Sequence, residues 1–136
     1  MRHTILLIGD DVNQRIINET LLELRGHEVV SVGSASEARE VLLRRPIAVA
    51  VVDLDGANGV GIEGLRQVQQ AVDTLPFGEP PRLVATTTRS EPDLERFARH
   101  AGAAAFFRKP VPPRHFLDTI DRFAAPTAGG RFARRY

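Results

Sequence analysis

The sequence predicts an α/β domain of the (βα)5 type, an open, doubly wound sheet of parallel strands with helices on both faces. Five apolar runs alternate with five stretches of helical spacing along the 136 residues. Several runs are continuous, as strands covered on both faces require, where half-exposed strands would alternate. Capping and turn residues separate the two kinds of segment, and right-handed crossovers then give a parallel sheet. The length suits one domain.

The first run, residues 5–8, leads into a helical segment with Ile16, Ile17, Leu21 and Leu24 as its apolar stripe and Gly26 as its stop. The second run, 29–32, is followed by Ser34 with Glu37 three residues on, a capping box for a helix that buries Ala38, Val41 and Leu42. After the third run, 47–52, come Leu65, Val68 and Val72, and then a turn-rich connection over 75–81. The fourth run, 83–85, precedes a helix opened by Ser90 with Pro92, carrying Leu94, Phe97, Ala98 and Ala101 and ending at Gly102. The fifth, 103–107, precedes a helix opened by Pro113 that carries Phe116, Ile120 and Phe123. Residues 1–124 are expected to form the domain, and 125–136 a flexible basic tail with Arg131, Arg134 and Arg135 at its end.

Composition narrows the function. Hydrophobic residues are 43% and charged residues 26%, and there is no cysteine, which excludes disulfides, thiol catalysis and thiolate metal sites. The longest apolar run falls far short of the roughly 20 residues that span a bilayer, so a cytoplasmic protein without membrane contact is expected. A net charge of +1 gives no field that would favour nucleic acid. Among 18 basic residues, Lys109 is the only lysine.

In open parallel sheets, ligands bind outside the carboxyl ends of the strands. Asp10 and Asp11 follow the first strand, Asp53 and Asp55 the third, Thr86, Thr87 and Thr88 the fourth, and Arg108 and Lys109 the fifth. All therefore fall on one sheet edge. Carboxylates crowded together favour a hard cation such as Mg²⁺, and a hydroxyl and an ammonium opposite it suit a phosphoryl group. A single aspartate at a strand end is more often a cap; the ordered set is what carries the argument. The four histidines (His3, His27, His100 and His115) show no metal spacing.

The stretches ILLIGDD (5–11), VVDLDG (51–56), VATTT (84–88) and FFRKP (106–110) resemble the receiver domains of two-component response regulators. The resemblance runs from about Thr4 to Phe123 and is closest in type to single-domain, chemotaxis-regulator-like receivers. It implies a flavodoxin-like sheet of strand order 2-1-3-4-5. It also implies that Asp53 is the phosphoacceptor and that Asp10, Asp53 and the backbone carbonyl of Asp55 hold Mg²⁺, with Asp11, through a water, a further candidate ligand. Thr87 and Lys109 would contact the phosphoryl oxygens, and Thr87 and Phe106 would form the switch. The implied partners are a sensor histidine kinase or histidine phosphotransfer protein as donor, and a downstream protein or a second copy at the helix 4–strand 5–helix 5 face. Such a domain catalyses only its own phosphorylation and dephosphorylation.

Three departures from the family pattern stand out. Receivers carry two adjacent acids after the first strand, and in the preferred, gapless register Gly9 stands at the first of these positions and Asp10 at the second; a register shifted by one would make Asp10 and Asp11 the pair but needs a deletion in the loop. The family's proline four residues after the phosphoacceptor is Ala57, within a loop containing Gly56, Gly59 and Gly61. The residue after the switch threonine, usually small, is Thr88. Gly9 favours an alternative reading, an atypical receiver acting as a phosphorylation-independent interaction module. Asp53, Thr87 and Lys109 favour the phosphorylated one. A flavodoxin-like enzyme or nucleotide binder shares the fold, but no GxGxxG follows the first strand and the sequence has no Walker lysine motif. A DNA-binding regulator is disfavoured because no helix-turn-helix follows the receiver.

Overall fold

A computed structural model describes residues 3–55, 61–76 and 78–125. Five strands alternate with five helices: β1 (Thr4–Ile8), α1 (Val12–Leu24), β2 (Glu28–Val32), α2 (Ala35–Arg44), β3 (Val49–Asp53), α3 (Ile62–Asp73), β4 (Arg82–Thr87), α4 (Leu94–His100), β5 (Ala103–Arg108) and α5 (Pro113–Ala124). The strands form one parallel sheet of order β2-β1-β3-β4-β5, the expected topology. The order reverses between β1 and β3, which puts the switch point beside Asp10 and Asp53.

Alternation along each strand divides the apolar residues between two cores. Leu6, Ile8, Ala50, Val52, Leu83 and Ala85 face α2, α3 and α4, where Ala38, Leu42, Leu65, Val68 and Ala98 meet them. On the other face Ile5, Leu7, Val49, Val51, Val84 and Phe107 meet Leu22 of α1 and Phe116, Leu117 and Ile120 of α5. Phe107 is thus an ordinary buried strand residue.

Local signals explain most element ends. Ser34 caps α2 by accepting the Glu37 N–H, while the Glu37 carboxylate accepts the Gly33 N–H, a capping box shifted by one residue on its return arm. Pro113 occupies the first turn of α5, where its missing N–H costs nothing. Gly26 and Gly102 take positive φ just past α1 and α4, a region that penalises any side chain.

Three expectations need correction. The α1 stripe is rotated: Leu22 is the buried residue and Leu21 is half-buried, whereas Ile16 and Ile17 are each 54% exposed and Leu24 79%. Hydrogen bonds on the turned-in side, Gln14 to Asn18 and Ser31 to Glu19, let a partly polar face pack inward. Helix α4 starts at Leu94 behind a turn, so Ser90 does not cap it, and Asp93 stands at the cap position. Phe97 of α4 points outward beside Arg96. His27, consistent with its lack of metal spacing, has a structural place: it is buried and hydrogen-bonded to Asp121 of α5 at 2.6 Å, which ties the α1–β2 turn to the last helix. Ala57, Gly56 and Gly59, and the tail from 126 onward, lie outside the described residues.

Candidate functional site

Parallel strands end together, and this brings the chemistry-bearing residues to one edge. Asp53 closes β3 and is paired in register with Thr86; Thr87 closes β4 beside Arg108. Backbone bonds pin the loops that follow: Gly9 N–H to Val32, Leu54 N–H to Thr86, and Lys109 N–H to Thr87 at 2.7 Å. The Lys109–Pro110 peptide is cis. A cleft of about 670 Å³ opens here, lined by Gly9, Asp10, Asp53, Asp55, Thr88 and Lys109 and continuing along α1 to Phe116.

Four predicted residues meet directly. Lys109 Nζ lies 3.2 Å from both Asp53 oxygens and 3.1 Å from Asp55 Oδ2. The Asp55 N–H donates to Asp53 Oδ1 at 2.9 Å. The Thr87 hydroxyl, fully buried, donates to Asp55 Oδ1 at 2.7 Å and accepts the Arg89 N–H at 3.0 Å. Asp55 Oδ2 accepts both the Thr88 N–H, at 2.8 Å, and the Thr88 hydroxyl, at 2.9 Å. Asp10 is half-buried on the same cleft. Asp11, at the rim, accepts the Gln14 N–H as the N-cap of α1.

One ammonium serves two carboxylates, which leaves an excess of negative charge before Asp10 is counted. Burial pushes the Asp53 carboxyl above the usual carboxylate range, against the opposing pull of the Asp55 N–H and the Lys109 charge. Burial also works against the Asp55 charge, but the Thr87, Thr88 and Lys109 hydrogen bonds outweigh it and hold its carboxyl low. Lys109 loses hydration too, yet the two carboxylates keep it above its ordinary value. A raised acid beside a lowered one divides the roles, with Asp53 the less satisfied group and Asp55 the well hydrogen-bonded one.

Gly9 has a steric role that the sequence did not reveal. A Cβ at this position would stand 3.0 Å from Asp53 Cβ and 3.5 Å from Asp53 Oδ2, so a larger residue at the β1 end would require the Asp53 side chain or its strand to give by a few tenths of an ångström. Among the described residues, no three His, Cys, Asp or Glu side chains are grouped to hold a metal. The donors that are present, two half-buried acids and a backbone carbonyl, are all hard oxygens. They fit Mg²⁺, which keeps several waters and takes only one or two carboxylates.

Phe106 stands apart from these groups. It is half-buried on β5 and packs against the α2–α4 core. The Arg108 guanidinium lies 5.1 Å over its ring and donates to the carbonyls of Arg89 and Glu91, so it ties the β4–α4 loop to β5. Neither this tie nor the Asp55 side-chain bonds were expected. The run of three threonines opposite an acid-rich loop was the available signal for the second.

The family model for the response regulator receiver domain matches residues 5–121. The chain belongs to the response regulator receiver family. This receiver is 30% identical over 118 residues to the hydrogenase transcriptional regulatory protein HoxA of Cupriavidus necator, covering 86% of the chain and 23% of that protein. The chain spans well under two thirds of the curated relatives it matches. Among solved structures, a CheY-like receiver domain from Methanospirillum hungatei superposes with a TM-score of 0.78 at 23% identity, covering 91% of this chain and 94% of that one. A response regulator from Burkholderia pseudomallei, solved with a phosphorylated aspartic acid, calcium ion and citrate, gives 0.72 at 22%, covering 90% and 68%. As a receiver, the protein is a two-component signalling module rather than an enzyme, and receivers typically bind Mg²⁺ and partner with histidine kinases and downstream targets. No helix among the described residues is long and apolar enough to cross a membrane.

Proposed function

We propose that this receiver accepts a phosphoryl group on Asp53 from a phosphohistidine donor and thereby alters a protein-binding face. The observation that carries the reading is the Asp53 carboxylate at the end of β3, set 3.2 Å from Lys109 Nζ and opening onto a solvent-accessible cleft. A carboxylate oxygen attacks the donor phosphorus. A P–O bond forms as the P–N bond breaks, and with the other ring nitrogen protonated the leaving group is neutral imidazole. Catalysis of this step consists of positioning and charge neutralisation, which Lys109 supplies on one side. Asp10, Asp53 and the Asp55 carbonyl would hold Mg²⁺, which offsets charge on the phosphoryl oxygens when bound.

Thr87 and Phe106 form the route outward. The Thr87 hydroxyl is joined through the Arg89 N–H to the loop held by Arg108, and Arg108 lies over Phe106. The face presented by α4, β5 and α5, with exposed Phe97, is the proposed output surface for a target protein or a second copy. The exposed Val12, Ile16 and Ile17 of α1, beside the cleft mouth, suit the apolar surface of a donor kinase or phosphotransfer protein. We assign the domain to residues 1–124, a tail to 125–136, and a cytoplasmic location.

Incubation with a small phosphodonor and Mg²⁺, read by intact mass, tests the reading. A phosphoryl adduct on the wild type that is lost in Asp53→Asn supports it, and an adduct retained in Asp53→Asn overturns it. A second reading, a phosphorylation-independent interaction module, is favoured by Gly9 alone; it gains if no donor modifies the wild type.

A further inference from the structure

The Asp55 carboxylate occupies the place of a ligand. It takes the Thr87 hydroxyl, the Thr88 N–H and hydroxyl, and shares the Lys109 ammonium, four donors converging on two oxygens. Thr88 and Lys109 line the Asp53 cleft, and Thr87, fully buried, joins them through its bond to Asp55. An anion attached to Asp53 would need them, and two anions cannot use one donor set. Lys109 Nζ lies within 3.2 Å of both carboxylates, which holds the two side chains on the same side of the loop.

We propose that Asp55 is an internal anion that fills the phosphoryl-oxygen site of this receiver, holds Thr87 in its inward position without phosphate, and must be displaced when Asp53 is modified. Its first and last clauses rest on the reading of Asp53 as phosphoacceptor; the hold on Thr87 concerns the unmodified protein alone. Two consequences follow. The resting domain already has its threonine hydroxyl committed to the site and, through the Arg89 N–H and the Arg108 tie, its β4–α4 loop drawn onto β5. Modification of Asp53 therefore exchanges one carboxylate for one phosphoryl group at Thr87, and a ligand that replaces an equivalent contact shifts an equilibrium only by the difference between the two. Asp55 thus sets both the resistance to phosphorylation and the amplitude of the response. It acts as a positioning residue, through Thr87 and Lys109.

The test uses the full chain, wild type, Asp55→Ala and Asp55→Asn, with the methyl and amide NMR signals of Thr87 and Thr88, the amide signal of Arg89 and the ring signals of Phe106. In the absence of phosphodonor and metal, Asp55→Ala should shift all four sets by releasing the Thr87 hydroxyl. Asp55→Asn, which keeps the shape and one acceptor, should shift them less. Beryllofluoride with Mg²⁺ should then bind Asp55→Ala roughly tenfold or more tightly than wild type, since it no longer competes with a charged acceptor, and should return the Thr87 signals toward the wild-type position. Unchanged Thr87, Thr88 and Phe106 signals in unmodified Asp55→Ala overturn the internal-anion proposal. An equal affinity gain in Asp55→Ala and Asp55→Asn without those shifts also overturns it and leaves only general charge repulsion. Failure of both wild type and Asp55→Ala to take beryllofluoride counts against Asp53 as acceptor, while the unmodified spectra still decide the role of Asp55.

Discussion

Replacing Gly9 by aspartate perturbs two quantities that can be separated. The added Cβ would lie 3.0 Å from Asp53 Cβ, closer than side chains normally approach, so β1 or β3 must give way. Such overpacking costs about 1–3 kcal/mol. The carboxylate it carries would stand roughly 5 Å from that of Asp53, and two like charges at that distance in an effective dielectric of about 20 repel by about 3 kcal/mol. Together these remove about 4–6 kcal/mol in the absence of metal, a large share of the roughly 5–15 kcal/mol typical of a domain. Gly9→Ala carries only the first part. Mg²⁺ should restore most of the second part in Gly9→Asp and none of it in Gly9→Ala, and its affinity should rise at least about tenfold over wild type. Urea unfolding of the three proteins with and without Mg²⁺, with calorimetric titration of the metal, reads both effects. Gly9→Asp that matches Gly9→Ala without metal and binds Mg²⁺ no better than wild type would refute this reasoning, and would make Asp10 and Asp11 the working pair.

Four further outcomes are expected. Asp53→Asn should raise stability near pH 7, because burial makes the Asp53 charge costly; the gain should shrink as pH falls through the raised carboxyl value and vanish below the ordinary one, as urea midpoints at about pH 7 and about pH 3 would show. Lys109→Met leaves Asp53 and Asp55 facing each other without their shared cation and should cost about 1–3 kcal/mol in the same unfolding assay. Leu22→Ala should cost about 2–5 kcal/mol, while Leu24→Ala should stay within about 0.5 kcal/mol; equal effects would restore the unrotated α1 stripe. Phe106→Ala should leave Asp53 modification intact and abolish the accompanying change in amide exchange over α4.

The fold was legible because its rules are local and repetitive. Continuous apolar runs, the Ser34–Glu37 cap, Pro113 and the two helix-ending glycines each have one physical reading, and they agree. The α1 orientation was not legible, since Ile16, Ile17 and Leu24 satisfy helical spacing as well as Leu22 does. Which face turns inward depends on Asn18 and Glu19 finding partners, the latter across the chain at Ser31. Ser90 misled for a related reason: a capping residue followed by proline also suits the turn that precedes Leu94. At the site, strand ends located Asp53, the run Thr86 to Thr88 and Lys109 because the sheet fixes where strands stop, and the family resemblance singled out Thr87. Neither said where the Asp55 side chain points, since that residue lies two positions past β3 and its orientation depends on Thr87, Thr88 and Lys109. Gly9 was legible as a missing acid and not as a close approach, which exists only between strands.

The division of the apolar residues between two sheet faces has a consequence for how such a protein can change. Asp53 and Lys109 open toward the cleft beside α1, while Phe106 rests in the core shared with α2, α3 and α4. Under the proposed function, the sheet lies between the cleft where the signal would be written and Phe106, which would carry it to α4, while α5 lies on the cleft's own side. Substitutions on α1 can retune which protein writes without repacking the core that the reader senses. Substitutions on α4 can retune the reader without touching the acceptor. Only the short bridge at the tip of β4 is common property, and that is where a single change should alter both at once.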